Sequence, residues 1–134
     1  MVTPLFSGIT RASGKPLYLL FRFLVGFLFL QHGLQKLGML DGGFQVNGFM
    51  GFVGLCELLG GTAIFLGIWT RLVAVLGTVL LIGAYTTVHM GNGLLPIQNK
   101  GELALLYIAA FITLFLYGAG KWSLERLFTK REFF

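Results

Sequence analysis

Four apolar runs, each close to the length of a bilayer crossing, constrain this chain more than anything else in it. They extend roughly over Leu17–Leu37, Phe49–Ile68, Leu72–Met90 and Leu103–Tyr117. A hydrocarbon core about 30 Å thick needs about 20 helical residues. The first three runs fit, and the fourth fits if it continues through Gly120. Periodicity cannot separate helix from strand in runs this uniformly apolar, so length decides for helix. Only 11% of the residues are charged, against about 25% in soluble domains. The chain is therefore predicted to be an all-α integral membrane four-helix bundle, residues 1–134 forming one domain with spans at about 17–37, 49–68, 72–90 and 103–120. The lone Cys56 excludes an internal disulfide and a dithiol relay run by this chain alone.

The connections set the topology. Trp69–Arg71 is so short that the second and third helices must form an antiparallel hairpin. Gly42-Gly43 in the first connection, and Gly91-Asn92-Gly93 with Pro96 in the third, are turn chemistry. In a four-span arrangement Arg11, Lys15, Arg71, Lys121, Arg126, Lys130 and Arg131 fall on one side, while Lys36 and Lys100 fall on the other. The positive-inside rule then puts both termini in the cytoplasm, as expected for a multi-pass protein of the inner (cytoplasmic) membrane. The net charge of +5 is a topology signal on this reading and not a nucleic-acid footprint. No small-residue cleavage pattern follows the first run, which reads as an uncleaved helix. The tail from Trp122 to Phe134 mixes aromatics with Lys130 and Arg131, a pattern that suits an interfacial helix.

Six ionisable residues lie inside or at the ends of the runs: Arg22, His32, Lys36, Glu57, His89 and Glu102. A charge in hydrocarbon costs at least roughly 2.5–3.5 kcal/mol on insertion scales, so such a residue faces a partner, the protein interior or water. At about 100° per residue, Arg22, Gly26, Phe29, Gly33 and Lys36 share a stripe bordered by His32. Gly26 and Gly33 there admit a close neighbouring helix. Gly54, Glu57 and Gly61 share a face of the second helix. Thr78, Ile82, Tyr85, Thr86 and His89 form a polar stripe on the third, and Glu102 opens a stripe through Leu106, Ala109 and Thr113 on the fourth. An antiparallel bundle sets His32, Lys36, His89 and Glu102 at similar outer depth, with Glu57 below and Arg22 lower still. The expected result is a polar pocket open to the outside, with Arg22 and Glu57 as a structural ion pair.

These residues also carry a resemblance. The order runs Arg22-x-x-x-Gly26, Gln31-His32-Gly33-x-x-Lys36, Glu57-x-x-Gly60-Gly61 and Gly67-x-x-Thr70-Arg71. His89, Glu102, Tyr107 and Gly118-x-Gly120-x-x-Ser123-Leu124 follow. From Leu17 to Glu125 the chain resembles the DoxX family of small bacterial and archaeal membrane proteins. The resemblance implies four membrane helices and a link to redox chemistry, since relatives include the DoxD-type subunit of thiosulfate:quinone oxidoreductase. It marks Arg22, His32, Lys36, Glu57, Arg71, His89 and Glu102 as candidate site positions. Ala119 departs from the proline common between the two late glycines.

Among specific chemistries, paired imidazoles at His32 and His89 are possible haem ligands, but both sit near helix ends, where histidine is commonly interfacial. The set His32, Glu57, His89 and Glu102 lacks the paired Glu-x-x-His of di-iron bundles, so no metal site is assigned. A quinone or small-anion site fits better. His32, Lys36, Tyr85 and His89 are the candidate donors, Phe29 and Phe52 the walls, and Glu57 or Glu102 the proton carriers. Arg71 reads as a topology and headgroup anchor, and Cys56 as a small packing residue. No nucleotide loop, metalloprotease helix or nucleophile elbow is present. Two functions remain open: a redox-associated subunit that binds quinone or a small substrate, and a non-catalytic accessory or assembly subunit of a larger membrane complex. Lipid and other membrane subunits are the expected partners.

Overall fold

The computed structural model describes the backbone of residues 7–40 and 48–130, with side chains from residue 14 onward. The Gly42-Gly43 turn, the side chain of Arg11, and Arg131 with the last residues of the tail lie outside the described residues. Every described element is helical. They are α1 (Ser7–Lys36), α2 (Gly48–Leu66), α3 (Thr70–Ala84), α4 (Pro96–Asn99), α5 (Glu102–Tyr117) and α6 (Leu124–Thr129). A π-helical turn, Tyr85–His89, and a 3-10 turn, Met90–Asn92, prolong α3. Three stretches, Gly14–Lys36, Gly48–Leu66 and Thr70–Asn92, are long and apolar enough to cross a membrane, whereas α5 is a shorter apolar helix.

The first two helices pack antiparallel through glycine. A Cβ on Gly26 would lie 2.5 Å from the Phe65 backbone nitrogen and 2.9 Å from the Gly61 carbonyl. On Gly33 it would run into the Leu58 nitrogen and the Gly54 carbonyl, and on Gly61 into Leu30. Backbone thus rests on backbone, the close approach that small residues permit between membrane helices. Both helices end in a Schellman turn on a left-handed glycine. At Gly38 (φ 70°) the Met39 N–H donates to Leu34, and at Gly67 (φ 71°) the Ile68 N–H donates to Ala63. The second turn leads directly into α3 and closes the expected hairpin.

On the other side α3 packs antiparallel along α5, where Gly77 makes room for the Phe111 ring. Between the two pairs lies a core of Val25, Phe29, Ile64, Ala74, Leu81, Tyr107, Phe111 and Leu114. Its centre is aromatic: Phe29 meets Phe111 edge-on at 4.8 Å and Tyr107 at 5.3 Å between ring centroids. Such pairs add about 0.5–1.5 kcal/mol beyond area burial.

Two predicted faces differ from those observed. On α5 the buried residues are Tyr107, Phe111 and Leu114, while Glu102, Leu106 and Ala109 are exposed. On α3 they are Thr70, Ala74, Gly77 and Leu81, while Ile82 and Thr86 are exposed. Thr78 and Thr86 need no partner helix, because they donate to the carbonyls of Ala74 and Ile82 one turn back. Thr87 does the same to Gly83.

Candidate functional site

At the end of the bundle where α1 finishes and α5 begins, a cavity of about 230 Å³ opens between the helices. Of the predicted site residues, His32, Lys36, Glu57 and His89 line it, together with Phe29. Each is placed by a helical register. His32 and Lys36 are one turn apart on the last two turns of α1. Phe49, Val53 and Glu57 follow at four-residue spacing on α2, so one face of that helix supplies an apolar wall ending in a carboxylate.

The electrostatic centre is a short ion pair. Lys36 Nζ lies 2.6 Å from Glu57 Oε1 and 2.5 Å from Oε2. The Glu57 side chain is only 5% exposed and that of Lys36 31%. This corrects the expected Arg22–Glu57 pair. The register that sets Gly26 on Gly61 and Phe65 puts Arg22 against Phe65 and Gly67. At 1.5 Å per residue, Phe65 is about 12 Å along α2 from Glu57. The fully buried Arg22 instead donates to the Ala119 carbonyl, to the Trp122 carbonyl at 2.7 Å and to the Phe65 carbonyl at 3.5 Å.

His32 stands edge-on to the Tyr107 ring, with centroids 5.7 Å apart. Tyr107 is 8% exposed and lines the cavity, and neither its hydroxyl nor the His32 ring makes a hydrogen bond among the described residues. His89 is held differently. The π turn, closed by the Met90 N–H donating to the Tyr85 carbonyl, adds a residue to the helical turn and brings His89 to the wall. Its Nδ1–H then donates to the Asn99 carbonyl at 2.9 Å, since a carbonyl oxygen can only accept. Single π turns inside helices recur at functional sites.

Asn99 ties this end together. Its Nδ2 donates to the Tyr85 hydroxyl at 3.2 Å and to the Gly93 carbonyl at 3.1 Å, and its Oδ1 accepts from the Gly101 N–H at 2.8 Å. Tyr85 therefore supports the site without lining it, which corrects its place among the cavity donors. Glu102 is corrected too: it is exposed and lies with Pro96, Leu105 and Leu106 on the outer side of α5. Phe52 is 60% exposed and points away, and Phe49 and Met50 take its place as wall. Sequence reasoning missed Tyr107 and Lys100 as lining residues. A lone tyrosine in the middle of an apolar helix was the available signal for Tyr107. Among the described residues no group of three His, Cys, Asp or Glu side chains converges as for a metal ion.

At the opposite, basic end, the segment after α5 folds back over Arg22. Tyr18 donates to the Gly118 carbonyl at 2.5 Å, and the Glu125 carboxylate accepts from the Trp69 N–H at 3.2 Å. Gly118 and Gly120 take φ of 69° and 77°, so the late glycine motif is a turn that delivers carbonyls to the guanidinium. Arg71 Nε donates to the Phe115 carbonyl at 3.0 Å and joins α3 to α5.

Comparison with known proteins agrees with this architecture. The DoxX family model matches residues 17–90. An uncharacterized protein of Haemophilus influenzae is 35% identical over 87% of this chain and 95% of its own length. "Putative oxidoreductase CatD" of Bacillus subtilis is 34% identical over 75% of this chain and 78% of its own. An uncharacterized membrane protein of Mycobacterium tuberculosis is 30% identical over 96% and 91%. No solved structure matches. With more than half its length matched, three apolar helices of membrane-crossing length and full-length relatives, this chain belongs to the DoxX family.

Proposed function

We propose that this protein is a redox-associated subunit of the inner membrane that binds the headgroup of a quinone in the cavity beside Lys36 and Glu57. Four crossings, with α5 and its flanking turns as the last and both termini cytoplasmic, complete the reading; the cavity then opens to the outer face. The observation that carries it is the combination of an apolar slot, walled by Phe29, Phe49 and Val53, with hydrogen-bonding groups at Tyr107 and His32 that the protein leaves unused. Sites for drug-sized ligands run about 300–1,000 Å³. At about 230 Å³ this one takes a single ring and leaves any isoprenoid tail outside. The two carbonyl oxygens of a quinone accept from the Tyr107 hydroxyl and from His32 or Lys36. The name of the Bacillus subtilis relative, which calls that protein an oxidoreductase, supports the redox link.

The test is titration of the purified protein in nanodiscs with a short-chain quinone, followed by calorimetry or native mass spectrometry. The expected result is stoichiometric binding that weakens about tenfold in Tyr107→Phe and in His32→Ala, the loss of roughly one 1.4 kcal/mol hydrogen bond each. Absence of binding to the folded wild type, or binding indifferent to both substitutions, overturns the reading. A large constant partner copurifying in mild detergent, with the cavity empty of quinone, would favour the accessory-subunit alternative.

A further inference from the structure

The basic end of the bundle carries a second concavity, independent of the cavity just described. Its volume is about 440 Å³, and it lies between the middle of α1, the end of α2 and the segment that runs into α6. Phe23, Phe65 and Leu66 form one side. Lys121 and Arg126, both exposed, stand on the other, and Arg22 lies beneath. Among the described residues no carboxylate lines it: Glu125, the nearest of them in sequence, is 6% exposed and accepts from the Trp69 N–H. Lys121 makes no ion pair among the described residues.

The surroundings identify the medium that meets this groove. Trp122, Leu127 and Phe128 are 74%, 74% and 79% exposed, an aromatic and apolar fringe of the kind that sits at headgroup level. Phe23, Phe65 and Leu66 belong to helices of membrane-crossing length, so their open side meets acyl chains rather than water. The groove thus has positive charge at headgroup level and apolar wall below it.

We propose that this groove binds one anionic phospholipid, its phosphate against Lys121 and Arg126 and its acyl chains along Phe23, Phe65 and Leu66. Arg22 contributes field rather than direct contact, because its guanidinium already donates to backbone carbonyls. A cation near an anionic headgroup favours binding by about fivefold, so two give a preference for anionic over zwitterionic lipid of more than about tenfold. The lipid would also brace the segment that covers Arg22.

The test uses the full chain in mild detergent and native mass spectrometry, titrating phosphatidylglycerol against phosphatidylcholine of the same acyl length. Phosphatidylglycerol should bind the wild type at least about tenfold tighter. Lys121→Gln with Arg126→Gln should bring the two lipids to within about twofold, while Lys15→Gln, a cation on the same side but outside the groove, keeps the preference. If the double variant loses its thermal transition, Lys121→Glu, which alters one exposed side chain, replaces it with the same expectation. Equal retention of the two lipids by the wild type overturns the proposal, as does a preference unchanged in the groove variants. Displacement of phosphatidylglycerol by millimolar glycerol 3-phosphate also overturns it, since the site would then serve a soluble phosphoester.

Discussion

Lys36, the last residue of α1, turns its ammonium back onto Glu57 in the middle of α2, 2.6 and 2.5 Å from the two carboxylate oxygens. A lysine at a helix end in a membrane ordinarily snorkels outward to water. Here the buried carboxylate reverses that preference. A lone Glu57, 5% exposed, would face a desolvation cost of several kcal/mol, and the ammonium offsets it. The pair also sets polarity at the cavity floor while adding no net charge to it.

Removing Lys36 alone should therefore cost far more than removing both members. Lys36→Met alone is expected to destabilise the protein by about 3–5 kcal/mol, the usual cost of stranding one buried charge, whereas Glu57→Gln leaves an ammonium already 31% exposed that turns to water and costs less. Lys36→Met combined with Glu57→Gln should recover most of it. Thermal unfolding in detergent, read across the four-member cycle, measures the coupling. Strictly additive losses would show that the pair contributes nothing as a pair.

The glycine contacts make a sharper structural prediction. Gly61→Ala places a methyl group against the Leu30 backbone and the Gly26 carbonyl, and neither can give way as a flexible side chain would. Overpacking of this kind costs about 1–3 kcal/mol. Gly83→Ala, where a Cβ meets nothing within 4 Å, should be neutral or stabilise by up to about 1 kcal/mol through the unfolded chain. Comparing the two midpoints under identical detergent conditions separates packing from general intolerance of alanine.

Much of this architecture is legible in the sequence, and the part that is not has a common cause. The three long spans, the hairpin at Trp69–Arg71 and the glycine face of α1 follow from length, loop size and spacing. His32, Lys36, Glu57 and His89 meet at one cavity because helix direction fixes their depth. What the sequence does not show is rotation about the helix axis. In a bilayer the outer face of a helix is as apolar as the inner one, so a uniformly apolar helix such as α5 carries no periodic mark of the side that faces protein. Spacing alone therefore puts Glu102 and Leu106 on the inner stripe and gives Tyr107 no mark, while the structure exposes the first two and buries the third. The partner of Glu57 depends on the α1–α2 register, a tertiary quantity decided by Gly26, Gly33 and Gly61 acting together. The π turn at Tyr85–His89 has no sequence pattern of its own.

Arg22 should resist conservative replacement. Its planar fork reaches the carbonyls of Ala119 and Trp122 at once, and a lysine ammonium offers no matching geometry. Charged hydrogen bonds contribute about 1.5–3 kcal/mol each, so Arg22→Lys is expected to loosen the segment after α5 while leaving the far end of the bundle intact. Limited trypsinolysis in nanodiscs should show faster cleavage after Lys121 and Arg126. Unchanged cleavage kinetics would mean that the segment is held by Glu125 and Ser123 alone.

One residue that braces the cavity wall does not itself line it. Asn99 holds the Gly93 carbonyl, the Gly101 N–H and the Tyr85 hydroxyl through its side chain, and its own carbonyl receives His89. Asn99→Ala removes the three side-chain bonds and leaves the Gly101 N–H only its bond to the Pro96 carbonyl, a loss of about 1–3 kcal/mol. Because the turn carrying the Asn99 carbonyl then loosens, His89 loses its fixed orientation. The variant should weaken any ligand of the cavity as well as lower the melting midpoint. Glu102→Gln, three residues along the chain but exposed on the outer side of α5, should change neither. A calorimetric titration paired with a melting curve for each variant decides the matter: if the Glu102 substitution weakens binding while the Asn99 substitution spares it, the cavity wall has been drawn on the wrong side of α5.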